Sequence, residues 1–520
     1  MEKVKTEGIH KNVGLVLGIV FFVTLLNVHF GADPRIHRMA AIAALMATWW
    51  ITEAIPLAAT SLMPLVLMPF LKIVEPEKVA QSYMNDYIFL FMGGFTIALA
   101  MERWNLHRRL AMHTIRLVGD QPRQLILGFM IATAFISMWI SNTATAMMMM
   151  PIALSVVLLA EEREKNENNE RQERFAARFG LVLMLSVAYA ASIGGMGTLV
   201  GTPPNVIFAS RFRAEFPGAP EIAFTRWMLI AFPFAVVFLL ISWVLLTFVL
   251  HPLRGGRFLG GREAIRREMA QLGPITRTEV CVLIVFLCAA FLWVFRAGIQ
   301  IGNVTIPGWG NILGLIGGKT SWVSDGTVGM LAGLSLFFIP SGQKKGERLV
   351  DWKTVERLPW DVLFLFGGGF ALADGFVASG LSDWVGQQCR SFGQLPIPGQ
   401  IFAVSGVTTF LSELASNTAT ANMVLPILAG VARAIEVNPL MLMFPATIAA
   451  SFGFMLPVAT PPNAIVFGTG YVPMGAMVRT GFLLDFIGMF LLVLFMYFVA
   501  IPFWQIDPAQ LPAAWLVAKP

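Results

Sequence analysis

Long apolar segments recur along the chain and are separated by short polar loops. Several of them run close to the ~20 apolar residues that a membrane-spanning helix needs, among them residues 13–30, 232–250, 280–295 and 482–501. Residues 1–11 are polar, and no small-residue cleavage pattern follows them. The pattern predicts an all-α polytopic membrane protein that retains its first helix.

The composition agrees with this prediction. Hydrophobic residues make up 56% of the 520 positions and charged residues 13%, whereas a soluble domain has about 25% charged residues. The net charge is +6, but Lys and Arg lie in short loops between apolar segments, which is typical of cytoplasmic loops and not of a nucleic-acid-binding surface. Cys281, Cys288 and Cys389 lie in or beside apolar segments, so no disulfide framework or metal-ligand spacing follows from them.

The chain contains a duplication. The motif Ser-Asn-Thr-Ala-Thr-Ala occurs at 141–146 and again at 416–421, and a Gly-rich segment that begins with Asp occurs at 86–95 and again at 361–370. Both pairs are 275 residues apart (416 − 141 and 361 − 86). Hydroxyl and amide groups are costly to bury without a partner, so a bound ligand is a natural partner for them. Helix capping would explain one copy, but it gives no reason for the residues that follow to match.

A second motif, Thr-Pro-Pro-Asn, occurs at 202–205 and 460–463. The offset is now 258 (460 − 202), and the difference of 17 residues (275 − 258) coincides with a charged insert at 161–178. Proline donates no amide and disfavours helical geometry at the residue before it, so broken transmembrane helices are predicted around 201–205 and 459–463. A simple kink or an interhelical turn is the alternative, but pairing with the other motif in both halves favours a binding site.

Basic residues orient the two halves of the chain. The basic cluster at 103–123 follows the first Gly-rich segment, whereas the cluster at 344–357 precedes the second one. Corresponding segments therefore run in opposite directions, which predicts two inverted-topology repeats with about 11 transmembrane helices, a cytoplasmic N-terminus and a C-terminus outside. In this topology 121–160 is a re-entrant helical hairpin from the cytoplasm and 394–434 is its mirror from outside, with both Ser-Asn-Thr tips near the midplane.

This arrangement favours the binding of an anion together with cations. Half-helix N-termini at the tips and breaks carry unsatisfied amides and partial positive charge, and each favours an anion by roughly 0.3 to 2 kcal/mol. Released carbonyls and the Ser, Thr and Asn oxygens suit a hard monovalent cation such as sodium. No Arg, Lys or His lies within the motifs, so co-bound cations would balance the charge of the anion.

These motifs, together with Trp-Trp-Ile-Thr-Glu-Ala-Ile-Pro at 49–56, resemble the divalent anion/sodium symporter family, the carriers of dicarboxylates, citrate and sulfate. The resemblance covers nearly the whole chain. It implies import of di- or tricarboxylates of the succinate, malate and fumarate class, with sodium as the coupling ion and no other cofactor. It also implies a homodimer in a bacterial inner membrane that works by an elevator mechanism, in which a transport domain moves against a scaffold.

The resemblance divides the chain into four parts. Scaffold helices of the first repeat occupy 1–120, and the transport part of that repeat occupies 121–250. A cytoplasmic loop and the scaffold helices of the second repeat occupy 251–393, and the second transport part occupies 394–520.

By the same resemblance, the substrate carboxylates would contact matched residues of the tips and breaks. These are Ser141, Asn142, Thr143, Thr202 and Pro203 in the first repeat and Ser416, Asn417, Thr418, Thr460 and Pro461 in the second. One sodium site would consist of Ser137, Ser141, Asn142 and the Gly201 carbonyl, and the other of Ser412, Ala415, Asn417 and the Ala459 carbonyl. The family often has threonine at position 412, and serine keeps the hydroxyl.

Several alternatives stay open at this point. Hydroxyl and amide donors serve carboxylates and sulfate alike, and the motifs do not distinguish C4 from C6 substrates. Some members of the family are sodium-independent exchangers. A passive anion channel can also contain inverted repeats, whereas a membrane enzyme would need a convergent His, Asp or Cys set that the matched motifs lack.

Four other features have structural interpretations. The segment 314–320 resembles a phosphate loop, but Leu313 stands where the first glycine is required, which argues against an ATP-driven pump. The methionines at 147–150 are interpreted as helix packing, the insert 161–178 as a solvated cytoplasmic helix extension, and Glu53 as a helix-end residue.

Overall fold

The computed structural model describes residues 2–119, 121–165, 170–253, 261–301, 304–316 and 322–517. As predicted, these residues form a helical protein. One short antiparallel hairpin, β1 (Ile299–Ile301) with β2 (Val304–Ile306), departs from the all-helical prediction, because strands of three residues give no periodic signal in a sequence. Residues 317–320 of the phosphate-loop-like segment and residues 166–169 of the charged insert lie outside the described residues.

The helices of the first half, in chain order, are α1 Glu2–Asn27, α2 Pro34–Thr52, α3 Leu57–Ser61, α4 Met63–Phe70, α5 Pro76–Ser82, α6 Asp86–Arg103, α7 Leu106–Val118, α8 Pro122–Ser137, α9 Asn142–Lys165, α10 Glu170–Gly195, α11 Pro203–Glu215 and α12 Phe224–Val244, which a π-helical segment at Leu245–Leu250 extends.

The helices of the second half are α13 Gly261–Leu272, α14 Arg277–Val294, α15 Trp309–Ile312, α16 Asp325–Phe338, α17 Trp352–Val355, α18 Trp360–Ser379, α19 Leu381–Gln388, α20 Ile397–Leu414, α21 Asn417–Ala434, α22 Leu440–Ala449, α23 Pro461–Phe467, α24 Met474–Phe495 and α25 Ile501–Trp504. Shorter helical turns lie at Arg390–Gln394, Met496–Ala500 and Ala513–Trp515.

Within the described residues, seven helices are long and apolar enough to span a membrane. They are Pro76–Arg103, Asn142–Glu161, Phe175–Gly195, Phe224–Leu250, Arg277–Val294, Trp360–Ser379 and Met474–Trp504. Shorter apolar helices lie at Lys11–Asn27, Leu57–Phe70, Pro122–Ser137, Asp325–Phe338 and Leu440–Ala449. The chain is therefore a polytopic membrane protein, and the total of eleven spans stays a prediction.

Both Ser-Asn-Thr motifs lie between two consecutive helices that contact each other. In the first repeat, α8 ends at Ser137 and α9 begins at Asn142, and in the second, α20 ends at Leu414 and α21 begins at Asn417. The serine of each motif also caps the following helix, since its hydroxyl accepts the amide of the residue three positions later at 3.3 Å in the first repeat and 3.2 Å in the second. Helix capping is thus one of the functions of each motif.

Both Thr-Pro-Pro-Asn motifs begin a helix after an unwound segment, as predicted. The prolines occupy the first turns of α11 and α23, where the amides have no partner within the helix. The motif asparagine closes each unwound segment. Asn205 donates to the carbonyls of Gly195 (3.0 Å) and Thr198 (2.6 Å), and Asn463 donates to those of Gly453 (2.8 Å) and Leu456 (3.0 Å).

The structure describes parts of two other features, and the solvated cytoplasmic position of the charged insert stays a prediction. Glu53 directly follows α2 and adopts a left-handed conformation (φ 46°), so it is a helix-end residue. The charged insert extends α9 as far as Lys165 and begins α10 at Glu170. Buried apolar side chains form one large core that runs through both repeats and a smaller core among α2, α4, α5 and α18.

Candidate functional site

A cavity of about 550 Å³ lies where the two tips and the two helix breaks meet. All ten residues that the sequence assigns to substrate binding line it. They are Ser141, Asn142, Thr143, Thr202, Pro203, Ser416, Asn417, Thr418, Thr460 and Pro461. Residues that are 275 or 258 positions apart therefore form one wall of a single cavity.

Other residues that line the cavity come from segments that the sequence analysis did not assign to the site. They are residues from the segment before and within α3, from α6, and from the start of α18, including Pro56, Leu57, Phe91, Phe95, Pro359 and Asp361. Because these residues come from distant parts of the chain, no local motif points to them. The repeated Gly-rich segments at 86–95 and 361–370, which begin α6 and α18, are the signal that could have done so.

The residues assigned to sodium binding divide into two groups. Gly201 and Ala459 line the cavity, whereas Ser137, Ser412 and Ala415 are buried behind the tips. The structure therefore brings the ten residues assigned to substrate binding and the two break residues to one cavity, and Ser137, Ser412 and Ala415 do not line it.

Behind the first tip, three oxygen atoms lie close together. The hydroxyl oxygen of Ser137 lies 2.7 Å from Oδ1 of Asn142 and 2.7 Å from the carbonyl oxygen of Ala191. A serine hydroxyl has one hydrogen to donate, so it cannot satisfy both acceptors fully. The cluster brings together a hydroxyl, an amide and a backbone carbonyl oxygen, which are the kinds of ligand that a hard cation prefers.

The second repeat contains the same cluster. The hydroxyl oxygen of Ser412 lies 2.9 Å from Oδ1 of Asn417 and 2.6 Å from the carbonyl oxygen of Ala450. The serine, like Ser137, is fully buried. Both repeats thus build an equivalent oxygen cluster from one hydroxyl, one amide oxygen and one backbone carbonyl.

A glycine lies between the tip and the break in each repeat. A Cβ atom on Gly195 would lie 2.5 Å from Oδ1 of Asn142 and 3.2 Å from the carbonyl oxygen of Gly201, so this position tolerates no side chain. The equivalent Gly453 faces Ala459, where a Cβ would lie 3.3 Å from its side chain. The carbonyl oxygen of Gly201 and Oδ1 of Asn142 therefore both lie beside Gly195, and the assignment of these residues to a sodium site stays a prediction.

The cavity favours an anion through backbone groups and not through cationic side chains. Helices α9 and α21 begin at it, and the amides of their first residues lack partners within the helix. Among the described residues that line the cavity, Asp361 is the only charged one. A dianion bound here would need cations beside it, because a buried charge is costly without a partner.

The methionine interpretation needs a correction at one residue. Met149 is fully buried, in agreement with helix packing, but Met147 is 54% exposed and lines the cavity. Its equivalent in the second repeat, Asn422 (147 + 275), is buried against α18 and donates to the carbonyl of Leu365 at 3.2 Å. Position 147 thus lies at the cavity, whereas the equivalent position 422 lies within the helix packing. A sequence pattern cannot reveal this difference.

A polytopic helical protein in which two repeats enclose such a cavity at their broken helices belongs to the class of membrane transporters. Residues 9–506 match the sequence profile described as "Sodium:sulfate symporter transmembrane region". The chain therefore belongs to the sodium:sulfate symporter family, as the resemblance of its motifs predicts.

Two curated relatives and one solved structure extend this comparison. The chain is 41% identical to the "Sodium-dependent dicarboxylate transporter SdcS" of Staphylococcus saprophyticus, over 97% of this chain and 94% of that protein. It is also 41% identical to the protein of the same name from Staphylococcus aureus, over 94% and 91%. Its fold is similar to that of MtrF of Neisseria gonorrhoeae, with a TM-score of 0.58, 13% identity and coverage of 94% and 95%.

Proposed function

We propose that this protein imports dicarboxylates of the succinate, malate and fumarate class, driven by sodium. The observation that carries the proposal is the single cavity formed by both Ser-Asn-Thr tips and both helix breaks, with an oxygen cluster behind each tip. The names of the two staphylococcal relatives support the same substrate and the same ion. Transport, and not catalysis, is the activity that we assign to the cavity.

The substrate would bind between the two tips. One carboxylate would accept hydrogen bonds from Ser141, Asn142 and Thr143, and the other from Ser416, Asn417 and Thr418. Thr202, Pro203, Thr460 and Pro461 would complete the wall at the breaks. Because both ends of the substrate meet equivalent groups, a symmetrical dianion such as succinate fits this arrangement.

Sodium would bind at the two oxygen clusters as a co-transported ion. The first ion would contact Ser137, Ser141, Asn142 and the Gly201 carbonyl, and the second would contact Ser412, Ala415, Asn417 and the Ala459 carbonyl. Each ion would be held by these oxygens and would balance one negative charge of the substrate. No other cofactor is needed for this scheme.

We further infer that the transport parts, 121–250 and 394–520, move against a scaffold formed by 1–120 and 251–393 in an elevator mechanism. Pro359 and Asp361 line the cavity and follow the basic segment predicted to be cytoplasmic, which supports a cavity that faces the cytoplasm. A homodimer in a bacterial inner membrane, with the N-terminus inside and the C-terminus outside, completes the proposal.

The proposal is tested by uptake of radiolabelled succinate into proteoliposomes. Three conditions are compared: an inward sodium gradient, potassium in place of sodium, and unlabelled succinate preloaded inside. We expect accumulation only with sodium. Uptake that ignores sodium and requires internal succinate would make the protein an exchanger, and equilibration without accumulation would make it a channel.

If succinate is not taken up under any of the three conditions, the substrate assignment is wrong. Labelled citrate and sulfate are then tested in the same vesicles, because the same hydroxyl and amide donors serve these anions. Protein with Asn142→Ala and Asn417→Ala together is the control for leakage, since it lacks the amide groups of both tips.

A further inference from the structure

Glu413 joins the second hairpin to the second helix break. Its carboxylate, 2% exposed, accepts hydrogen bonds from the amides of Met455 (2.8 Å) and Leu456 (3.0 Å). Glu413 lies in the last turn of α20, directly after Ser412, whereas Met455 and Leu456 belong to the unwound segment between α22 and α23. A carboxylate buried within an apolar chain thus finds its hydrogen-bond donors in the backbone of the break.

Thr198 makes the corresponding join in the first repeat. Its hydroxyl donates to the carbonyl of Met138, the residue that follows α8, and accepts the amide of Gly201 at 3.1 Å. Thr198 is fully buried and lies in the unwound segment between α10 and α11. In this repeat the side chain belongs to the break and the backbone group belongs to the hairpin.

The two joins connect equivalent positions of the two repeats. The repeat offset of the tips aligns Glu413 with Met138 (413 − 275), and the offset of the breaks aligns Leu456 with Thr198 (456 − 258). The residue types differ at both positions. In the second repeat the side chain comes from the hairpin, whereas in the first repeat it comes from the break. Both repeats therefore share a hydrogen-bonded contact between the hairpin and the break, although different groups make it.

Each join lies next to residues of one oxygen cluster. Glu413 adjoins Ser412, and Leu456 accepts the amide of Ala459 at 3.2 Å through its carbonyl. Thr198 holds the amide of Gly201 directly. Hydrogen bonds that orient metal ligands from behind typically change metal affinity 10- to 100-fold when they are lost.

We propose that Thr198 and Glu413 are positioning residues for the first and second sodium sites, respectively. Each holds the break carbonyl at a fixed distance from the tip hydroxyl, so that both oxygens can contact one ion. Neither side chain lines the cavity or contacts the ion in this scheme. The inference rests on the proposed function, because it assumes that sodium binds at the two clusters.

The test is a sodium titration of succinate uptake in proteoliposomes at one fixed pH. Thr198→Val keeps the shape of threonine without its hydroxyl, and Thr198→Ser keeps the hydroxyl. Glu413→Gln keeps the size of the side chain but can accept at only one oxygen. We expect the sodium concentration for half-maximal uptake to rise about tenfold in Thr198→Val and Glu413→Gln and to stay unchanged in Thr198→Ser. The succinate KM at saturating sodium should not change.

Double variants show which of the two sodium sites each residue affects. Each substitution is combined with Ser137→Ala at the first site and with Ser412→Ala at the second. Glu413→Gln should add little to the effect of Ser412→Ala, since both act on one site, but should show its full effect with Ser137→Ala. Thr198→Val should show the reverse pattern. Melting temperatures in sodium-free buffer identify any variant that is merely destabilised, and the Thr198 pair keeps the test valid if Glu413→Gln does not fold.

Two results would overturn the inference. If Thr198→Val and Glu413→Gln lower the melting temperature or the maximal rate but leave the sodium titration unchanged, these residues only stabilise the fold. If both variants add equally to Ser137→Ala and Ser412→Ala, neither residue belongs to a particular site. Sodium-independent uptake by the unaltered protein would instead overturn the proposed coupling, and this assignment with it.

Discussion

The hydroxyl oxygen of Ser412 lies 2.9 Å from Oδ1 of Asn417, and the same pair of groups recurs behind the first tip at 2.7 Å. In each case the serine also contacts a backbone carbonyl, so three oxygens lie close together. A cation placed among them would contact all three oxygens. From this geometry we infer that two equivalent cation sites support one dianion site between them.

Removing either serine hydroxyl should weaken sodium dependence. For Ser412→Ala and Ser137→Ala we expect the sodium concentration for half-maximal uptake to rise roughly tenfold, as the loss of about 1.4 kcal/mol of binding free energy implies. Ser155→Ala is a matched control, because the hydroxyl of Ser155 donates within its own helix to the Ile152 carbonyl at 2.8 Å. An unchanged sodium titration in both variants would remove the assignment of these serines.

Removing either tip asparagine should abolish uptake. Asn142 and Asn417 each supply an oxygen to a cluster and also line the cavity, so alanine at either position removes a cation ligand and a substrate contact together. Uptake should fall to the background of empty vesicles while the elution volume of the purified protein stays the same. Asn27→Ala, at an exposed position near the end of α1, should transport normally. Transport at the normal rate by either tip variant would contradict the shared site.

Among the ion pairs of the described residues that connect the proposed moving and fixed parts, two involve an arginine of a moving part and an aspartate of the scaffold. Arg211 of α11 lies 3.1 Å from Asp374 of α18, and Arg433 of α21 lies 3.1 Å from Asp383 of α19. The residues at the equivalent positions of Arg433 and Asp383 in the other repeat are Leu158 and Arg108 (433 − 275 and 383 − 275), which cannot pair. We therefore expect these pairs to favour the cytoplasm-facing state over its counterpart.

This expectation is measured with a cysteine at Met147, which lines the cavity, in protein without the native cysteines. A membrane-impermeant maleimide should label it from the cytoplasmic side. Asp374→Asn with Asp383→Asn should decrease this labelling and increase labelling from outside. Glu102→Gln breaks a pair of the same type with Arg357 within the scaffold and should change neither rate. Identical labelling before and after the double substitution would exclude a role of these pairs in the conformational equilibrium.

The predicted topology is tested at two exposed positions. A cysteine at Lys345, in the basic segment before α17, should react with the impermeant maleimide only from the cytoplasmic side, whereas a cysteine at Gln510 should react only from outside. The same protein without native cysteines is the background. Reaction of both positions from one side would contradict the predicted orientation of the second repeat.

The tips and breaks could be predicted from the sequence because the motif of each occurs twice in the chain. A repeated offset makes short polar motifs conspicuous in an apolar chain, and proline at 203 and 461 fixes where a helix must restart. The ten cavity-lining residues assigned from these motifs were therefore found together. Their roles in binding stay predictions until transport by the tip variants is measured.

The rest of the site could not be predicted because it depends on packing between distant segments. Neither Glu413 nor Thr198 has the same residue type at the equivalent position of the other repeat, because the two repeats make the same contact with different groups. Gly195 is needed only because Asn142 and the Gly201 carbonyl approach it, a contact that no local pattern encodes. A single carboxylate immediately before the second tip was the one signal in the sequence that could have pointed to Glu413.

The most direct test of sodium coupling is the ratio of the two fluxes in the same proteoliposomes, measured with radiolabelled sodium and radiolabelled succinate. Two cation sites predict that at least two sodium ions enter with each succinate, and that Ser412→Ala lowers this ratio or stops transport at the original sodium concentration. Succinate uptake that carries no sodium, with the same rate in the presence and absence of a sodium gradient, would contradict the central claim that the oxygen clusters are coupling sites.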